Sequence, residues 1–214
     1  MKKTLFLFIL IFIFSNNLFA QAPISSCDDH AEFYDPLKLT EGVYWDALDG
    51  KKAILDCEDS LKKFPNELRF LYQLARGYYK DEQYENAYEL FLELSNKDYP
   101  YAYMELGYMT YYEEFGEFNE QTAKWFLKAA VSNIKDAYYF AGKTYSYLER
   151  NLEAEKYFFM SLNDESNDHS DKVKVYFEIA ENYLYWNTSP RKYSEALEYY
   201  NKIIEDNYNI SNLE

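Results

Sequence analysis

Small residues recur along this chain at positions 75, 107, 142 and 180, with spacings of 32, 35 and 38 residues. Each lies inside a similar local pattern. Leu74-Ala75, Tyr78, Ala87 and Phe91 form the first copy, and Leu106-Gly107, Thr110, Ala123 and Leu127 the second. Ala141-Gly142, Tyr145, Ala154 and Phe158 form the third, and Ile179-Ala180, Tyr183, Ala196 and Tyr200 the fourth. A period in the thirties is the length of one helix pair, too short to bury its own apolar face and so obliged to stack on its neighbours. A small residue on the first helix and an alanine on the second let the two approach closely, while the aromatics fill the space between successive pairs. The distance from small residue to alanine is 12 residues in copies one and three and 16 in copies two and four. A further helical turn or a longer loop between the two helices would absorb the difference.

Composition supports a helical chain. Only 6 glycines and 5 prolines occur in 214 residues, too few for the turns of a sandwich or barrel or for glycine-rich phosphate loops. Hydrophobic residues make up 48% and aromatic residues 21%, enough apolar surface to exclude disorder. The net charge of −15 argues against nucleic-acid partners, which need clustered Lys and Arg.

The register has a second anchor. Ala53 and Cys57 fit the second helix of a preceding pair, and Pro65 follows Ala53 by twelve residues. Counting on from Pro65 brings Leu71, Leu74, Ala75 and Tyr78 to their places in copy one. This pattern resembles the tetratricopeptide repeat. The longer copies, with Ala102, Leu106-Gly107, Ala123, Trp125-Phe126 and Lys128-Ala129-Ala130, resemble Sel-one-like repeats. The stretch from Gly42-Val43 to Cys57, continuing into Arg69-Phe70 and Gln73-Leu74, resembles the opening of secreted bacterial proteins of this class. The resemblance spans residues 27–205. It implies an all-α fold: an α-α superhelix, or solenoid, of antiparallel helix pairs in about four repeats, with about nine helices beyond Asp49. Residues 186–192 depart from the family spacing in the turn of repeat four, and no solvating capping helix is evident after the last repeat.

The first twenty residues read as an export signal. Lys2 and Lys3 precede an apolar run from Leu5 to Phe14, and small and polar residues lead to Ala20. The run is too short to span a bilayer, which takes about 20 apolar residues. Cleavage is expected after Ala20, leaving Gln21 first and taking the net charge from −15 to −17 by loss of the two lysines. The expected organisation is a signal peptide over 1–20, an irregular segment over 21–48 and a repeat domain over 49–214. The expected compartment is a bacterial periplasm or the exterior. Ile24-Ser25-Ser26-Cys27 loosely resembles a lipoprotein box, but Cys27 lies far beyond the apolar run that a lipidated cysteine normally abuts.

An exported chain with two cysteines is expected to pair them. A Cys27–Cys57 bridge would close a loop of about 30 residues and pin the segment before Asp49 onto the first helix. The rival reading is a metal site built on Cys27, His30 and Cys57. It lacks a fourth ligand at a telling spacing.

No motif for catalysis, cofactor or metal emerges. HExxH, GxSxG, GxGxxG and P-loop sequences are absent. Ser-x-x-Lys occurs at Ser60–Lys63, Ser132–Lys135 and Ser189–Lys192, a spacing of interest because some cysteine-rich helical repeat proteins have been linked to β-lactamase activity. The companion Ser-Asp-Asn and Lys-Thr-Gly elements are missing. The chain is therefore expected not to be an enzyme.

Helix A of repeats of this family lines the concave face of the superhelix. One stripe of each helix A then faces a groove: Arg69, Tyr72, Arg76, Tyr79 and Lys80, followed by Tyr101, Met104, Tyr108, Tyr111 and Tyr112. The third stripe is Asp136, Tyr139, Lys143, Ser146 and Tyr147, and the fourth Lys174, Phe177, Glu181, Leu184 and Tyr185. These stripes hold five Lys/Arg against two Asp/Glu, and their aromatics are mostly tyrosine. The expected site comprises Arg69, Tyr72, Arg76, Tyr79, Lys80, Tyr101, Tyr108, Tyr111, Tyr112, Tyr139 and Lys143. The expected function is a non-catalytic protein-binding module of the cell envelope, with a partner segment carrying acidic groups. A saccharide-binding repeat protein and a β-lactamase-like hydrolase are the alternatives.

Overall fold

The structure is a computed structural model, describing residues 22–31, 43–165, 167–185 and 192–211. The expected export signal lies outside the described residues, as do Trp186 and Ser189. A short helix α1 (Ser26–Ala31) and a 3-10 turn (Trp45–Ala47) precede the repeats. Nine helices follow among the described residues: α2 (Gly50–Lys63), α3 (Leu68–Lys80), α4 (Tyr84–Ser95), α5 (Pro100–Tyr111), α6 (Glu120–Val131), α7 (Ala137–Tyr147), α8 (Asn151–Leu162), α9 (His169–Leu184) and α10 (Tyr193–Ser211). Each packs chiefly against its neighbours in sequence, as in a solenoid. The described residues contain no strand, and no described helix is long and apolar enough to cross a membrane.

Local signals start and stop these helices. Asp49 caps α2 by accepting the Lys52 amide, and Pro100 occupies the first turn of α5. Asn119 with Thr122, and Asp168 with Asp171, form reciprocal capping boxes on α6 and α9. With few glycines available, left-handed residues after the helices are supplied by Glu82, Asp98, Glu113, Asn133 and Glu149.

The small-residue register marks the close helix crossings. A Cβ on Gly107 would stand 2.5 Å from the Phe126 ring, and one on Gly142 2.6 Å from the Phe158 ring. Phe91, Phe126 and Phe158 are fully buried. In repeat two the aromatic partner is thus Phe126, one residue earlier than the expected Leu127, which is only half-buried. The extra residues of that repeat lie in the loop from Tyr112 to Asn119, whereas Asp81–Gln83 and Leu148–Arg150 suffice in repeats one and three.

Cys27 and Cys57 form a disulfide, so neither sulfur is available to a metal or a lipid. The described residues 22–31 pack against the first helices of the repeats. Asp28 is fully buried and ion-pairs with Arg69 at 3.0 Å, and it accepts from Gln73 Nε2 at 3.0 Å. Arg69 Nη2 donates to the Ala22 carbonyl, and the Ala22 amide donates to Glu67. Together with the disulfide these contacts cover the outer end of α2 and α3, burying Cys27, Leu48, Cys57 and Phe70 in one cluster.

Candidate binding groove

Three adjoining clefts run along one face of the solenoid. The first, of about 670 Å³, lies between α3 and α5 and includes Trp45, Arg76, Tyr79, Tyr108 and Tyr112. The second, of about 650 Å³, shares Tyr112 and Phe140 with the first and adds Tyr111, Tyr139, Lys143 and Tyr147. The third, of about 610 Å³, shares Lys143 and Tyr147 with the second and extends to Phe177 and Tyr185 on α9 and its turn. The lining comes from the first helix of each pair and from the turns that follow, apart from Trp45 and the opening residues of α4 and α8, Tyr84 and Asn151.

The expected site residues divide into three groups. Arg69 and Tyr72 line none of these clefts. Arg69 is only 7% exposed and is spent on the N-terminal segment, and Tyr72 is buried among Phe91, Tyr99 and Tyr101 while donating to Glu105 at 2.8 Å. Tyr101 belongs to the same aromatic cluster. Their stripe position is right for the helix face, but a chain segment and the neighbouring repeat cover it.

Arg76, Tyr79, Lys80, Tyr108 and Tyr111 line the groove yet are partly committed to its construction. Arg76 is 2% exposed, its guanidinium 5.9 Å from the Trp45 ring. Lys80 donates to the Trp45 carbonyl at 3.0 Å and sits over the same ring. Tyr79 donates to Glu114. Tyr108 and Tyr111 meet Phe126 and Phe140 edge-on, wedged between repeats two and three.

Tyr112, Tyr139 and Lys143 also line the groove. Tyr112 is 58% exposed, and Tyr147 and Tyr185, one repeat and two repeats on, are 65% and 70% exposed. Lys143 Nζ lies 2.9 Å from Glu178 Oε1, and Tyr139 donates to the same oxygen at 3.1 Å. Burial pushes the Tyr139 hydroxyl up to about 12, with the Glu178 carboxylate adding to the shift.

The charge of the groove is the reverse of what its helical stripes suggest. Its lining carries Arg76, Lys80 and Lys143 against Glu82, Glu105, Glu114, Glu149, Glu178 and Glu181. Glu82, Glu114 and Glu149 sit in the turns that close the first helices, and Glu105 and Glu178 flank the stripe rather than lying on it. Lys174, counted as a groove cation, instead pairs with Asp171 at 3.1 Å, and Lys135 pairs with it at 2.8 Å. Burial raises the Glu105 carboxyl above its usual range, opposed by the Arg76 charge and the Tyr72 hydroxyl. Trp45, Tyr84, Phe118, Phe140, Asn151 and Asn182 line the clefts without belonging to a stripe, as do all of these glutamates except Glu181. Trp45 lies outside any repeat, and turn residues carry no helical periodicity.

Of the Ser-x-x-Lys pairs, Ser189–Lys192 falls partly outside the described residues, and the lysines of the other two are engaged by carboxylates. Ser60 donates to the Asp56 carbonyl at 2.9 Å and lies 3.0 Å from the Ser25 hydroxyl, while Lys63 turns to Asp59. Lys135 is held by Asp171.

No family profile matches the sequence, and no curated protein is significantly similar to it. Solved structures share its architecture. Two crystal structures of MamA superpose with TM-scores of 0.62 and 0.63, each at 20% identity, covering 77% and 78% of this chain and 92% and 87% of theirs. A further MamA structure gives a TM-score of 0.58 at 20% identity over 73% of this chain and 81% of that one. This is a tetratricopeptide-like helical-repeat fold. At this identity the likeness concerns the fold alone. The tetratricopeptide-like solenoid accounts for the alternation seen in the groove: first helices inside, second helices outside, and a turn at each repeat reaching the rim.

Proposed function

We propose that this protein is a non-catalytic adaptor of the cell envelope that holds a segment of another protein in the concave groove. The fold is one of protein–protein interaction modules. The observation that carries the reading is the line of exposed tyrosines, Tyr112, Tyr147 and Tyr185, one per repeat along adjoining clefts. Tyrosine offers apolar area and a hydroxyl with few rotors to freeze, which suits a contact surface. The envelope location rests on the export-like opening of the sequence and on the disulfide, which persists in oxidising compartments. The acidic partner suggested by the stripes gives way to a basic one, because the assembled lining holds more carboxylates than cations.

The test is capture of envelope proteins on the immobilised chain. Tyr112→Ala and Tyr147→Ala should each reduce capture severalfold without changing the melting temperature, and Lys124→Glu, on the outer helix α6, should leave it unchanged. Loss with Lys124→Glu and retention with both tyrosine variants would move the binding face to the convex side.

A further inference from the structure

The second cleft, between α5 and α7, is the aromatic part of the groove. Six of its seven described lining residues carry rings, and Lys143 is the one charged group among them. The rings brace one another at steep angles. Tyr111 stands edge-on to Tyr112, Phe118 and Phe140, with centroids 5.1, 5.8 and 5.7 Å away, and Phe118 stands edge-on to Tyr147 at 6.2 Å. Tyr112 and Tyr147 nevertheless keep 58% and 65% of their surface open. The cleft shares Tyr112 and Phe140 with the first and Lys143 and Tyr147 with the third, so an occupant can run on in both directions. That favours a chain over a compact ligand.

The polar groups of this cleft select the chemistry of that chain. Lys143 is neutralised by Glu178 at 2.9 Å, so the lining holds no uncompensated charge and suits an uncharged occupant. Tyr139 donates to the same carboxylate oxygen at 3.1 Å. Tyr111 is hydrogen-bonded to Tyr147, which uses one O–H of the two, and Tyr112 makes no hydrogen bond with a described residue. No carboxylate or carboxamide is among the described lining. Helical walls add few main-chain acceptors, since their carbonyls are bonded within the helix. An ordinary peptide buried here would leave its N–H groups short of acceptors, and a saccharide its hydroxyl protons. Proline avoids the penalty because it has no N–H, while its carbonyl still accepts. A run of prolines also holds the polyproline II form without internal hydrogen bonds, so it loses little entropy on docking against aromatic faces.

We infer that the second cleft receives a proline-rich stretch of the partner protein in the polyproline II form. The open faces of Tyr112 and Tyr147 take the pyrrolidine rings. The hydroxyl of Tyr112 and the remaining O–H of the Tyr111–Tyr147 pair donate to main-chain carbonyls of the stretch. The inference deepens the reading of the groove as a protein-binding surface and rests on it.

Isothermal titration of the intact protein with an acetylated, amidated decaproline peptide tests this. Saturable binding is expected, and Tyr112→Ala and Tyr147→Ala should each weaken it about tenfold at an unchanged melting temperature. Raising salt should change the affinity less than about twofold, since the peptide carries no charge. A neutral glycine–serine peptide of equal length should not bind, an arm that does not depend on any variant folding. Decaproline that fails to bind, or that binds equally well to both tyrosine variants, would overturn the inference. So would tighter binding of a chitin hexasaccharide at the same tyrosines. Capture of a partner that falls with Tyr112→Ala and Tyr147→Ala but is not competed by decaproline would overturn the proline site and leave the groove standing. Capture indifferent to both tyrosines would overturn both.

Discussion

Arg69 and Asp28 show how one residue can leave a functional face for a structural task. Both are buried, 3.0 Å apart, and Asp28 also binds Gln73. Removing one partner of a buried ion pair leaves the other charge desolvated, at a cost of about 3–5 kcal/mol. Asp28→Asn should therefore lower the urea midpoint strongly, while Asp29→Asn at the exposed neighbouring position should leave it unchanged; equal midpoints would place Arg69 outside the core. The tyrosines set the alkaline limit of the fold. Burial is the largest influence raising Tyr72, Tyr79, Tyr108, Tyr111 and Tyr183, and Tyr139 and Tyr200 are pushed up to about 12. A group whose folded value lies above its unfolded value of about 10 stabilises the fold below that pH. This contribution is lost as pH rises from 10 through the folded values. The melting temperature should fall steeply above pH 10, and ultraviolet titration should show the buried tyrosines ionising together with unfolding. A gradual titration of most tyrosines near pH 10 in a protein that stays folded would contradict this.

At the scale of the helix pair, the glycines of the two middle repeats set the approach distance. Gly107 and Gly142 stand against the fully buried rings of Phe126 and Phe158, and even a methyl group there would overlap ring carbons. Gly107→Leu or Gly142→Leu should each cost about 1–3 kcal/mol by overpacking, measured as a shift in denaturation midpoint at unchanged slope. No shift with either would mean that the helices cross elsewhere. This level of organisation was legible in the sequence because each contact joins neighbouring helices, so the spacing of small and aromatic residues records it directly. The disulfide was legible for a similar reason, there being only two cysteines to pair. The site was legible only in part. Tyr112, Tyr139 and Lys143 follow from the helical stripe. Arg69 was lost to a partner that no periodicity announces, and the glutamates of the turns and flanks decide the sign of the groove without belonging to the repeat pattern.

At the scale of the whole molecule, a run of sequential helix pairs yields one face marked by adjoining clefts, and the described N-terminal residues cover α2 and α3 at its first end. Tyr112, Tyr147 and Tyr185 stand at the ends of the first helices or in the turn residue next to them, one per repeat. The central claim is that this face, and not the outer helices, receives the partner. Photo-crosslinking in the native cells tests it most directly, with p-benzoylphenylalanine placed in turn at Tyr112, Tyr147 and Tyr185 in the groove and at Leu55 and Val131, which are exposed on α2 and α6. The account predicts a common adduct from the three groove positions and none from Leu55 or Val131; a common adduct from Leu55 and Val131, with the groove positions silent, would contradict it.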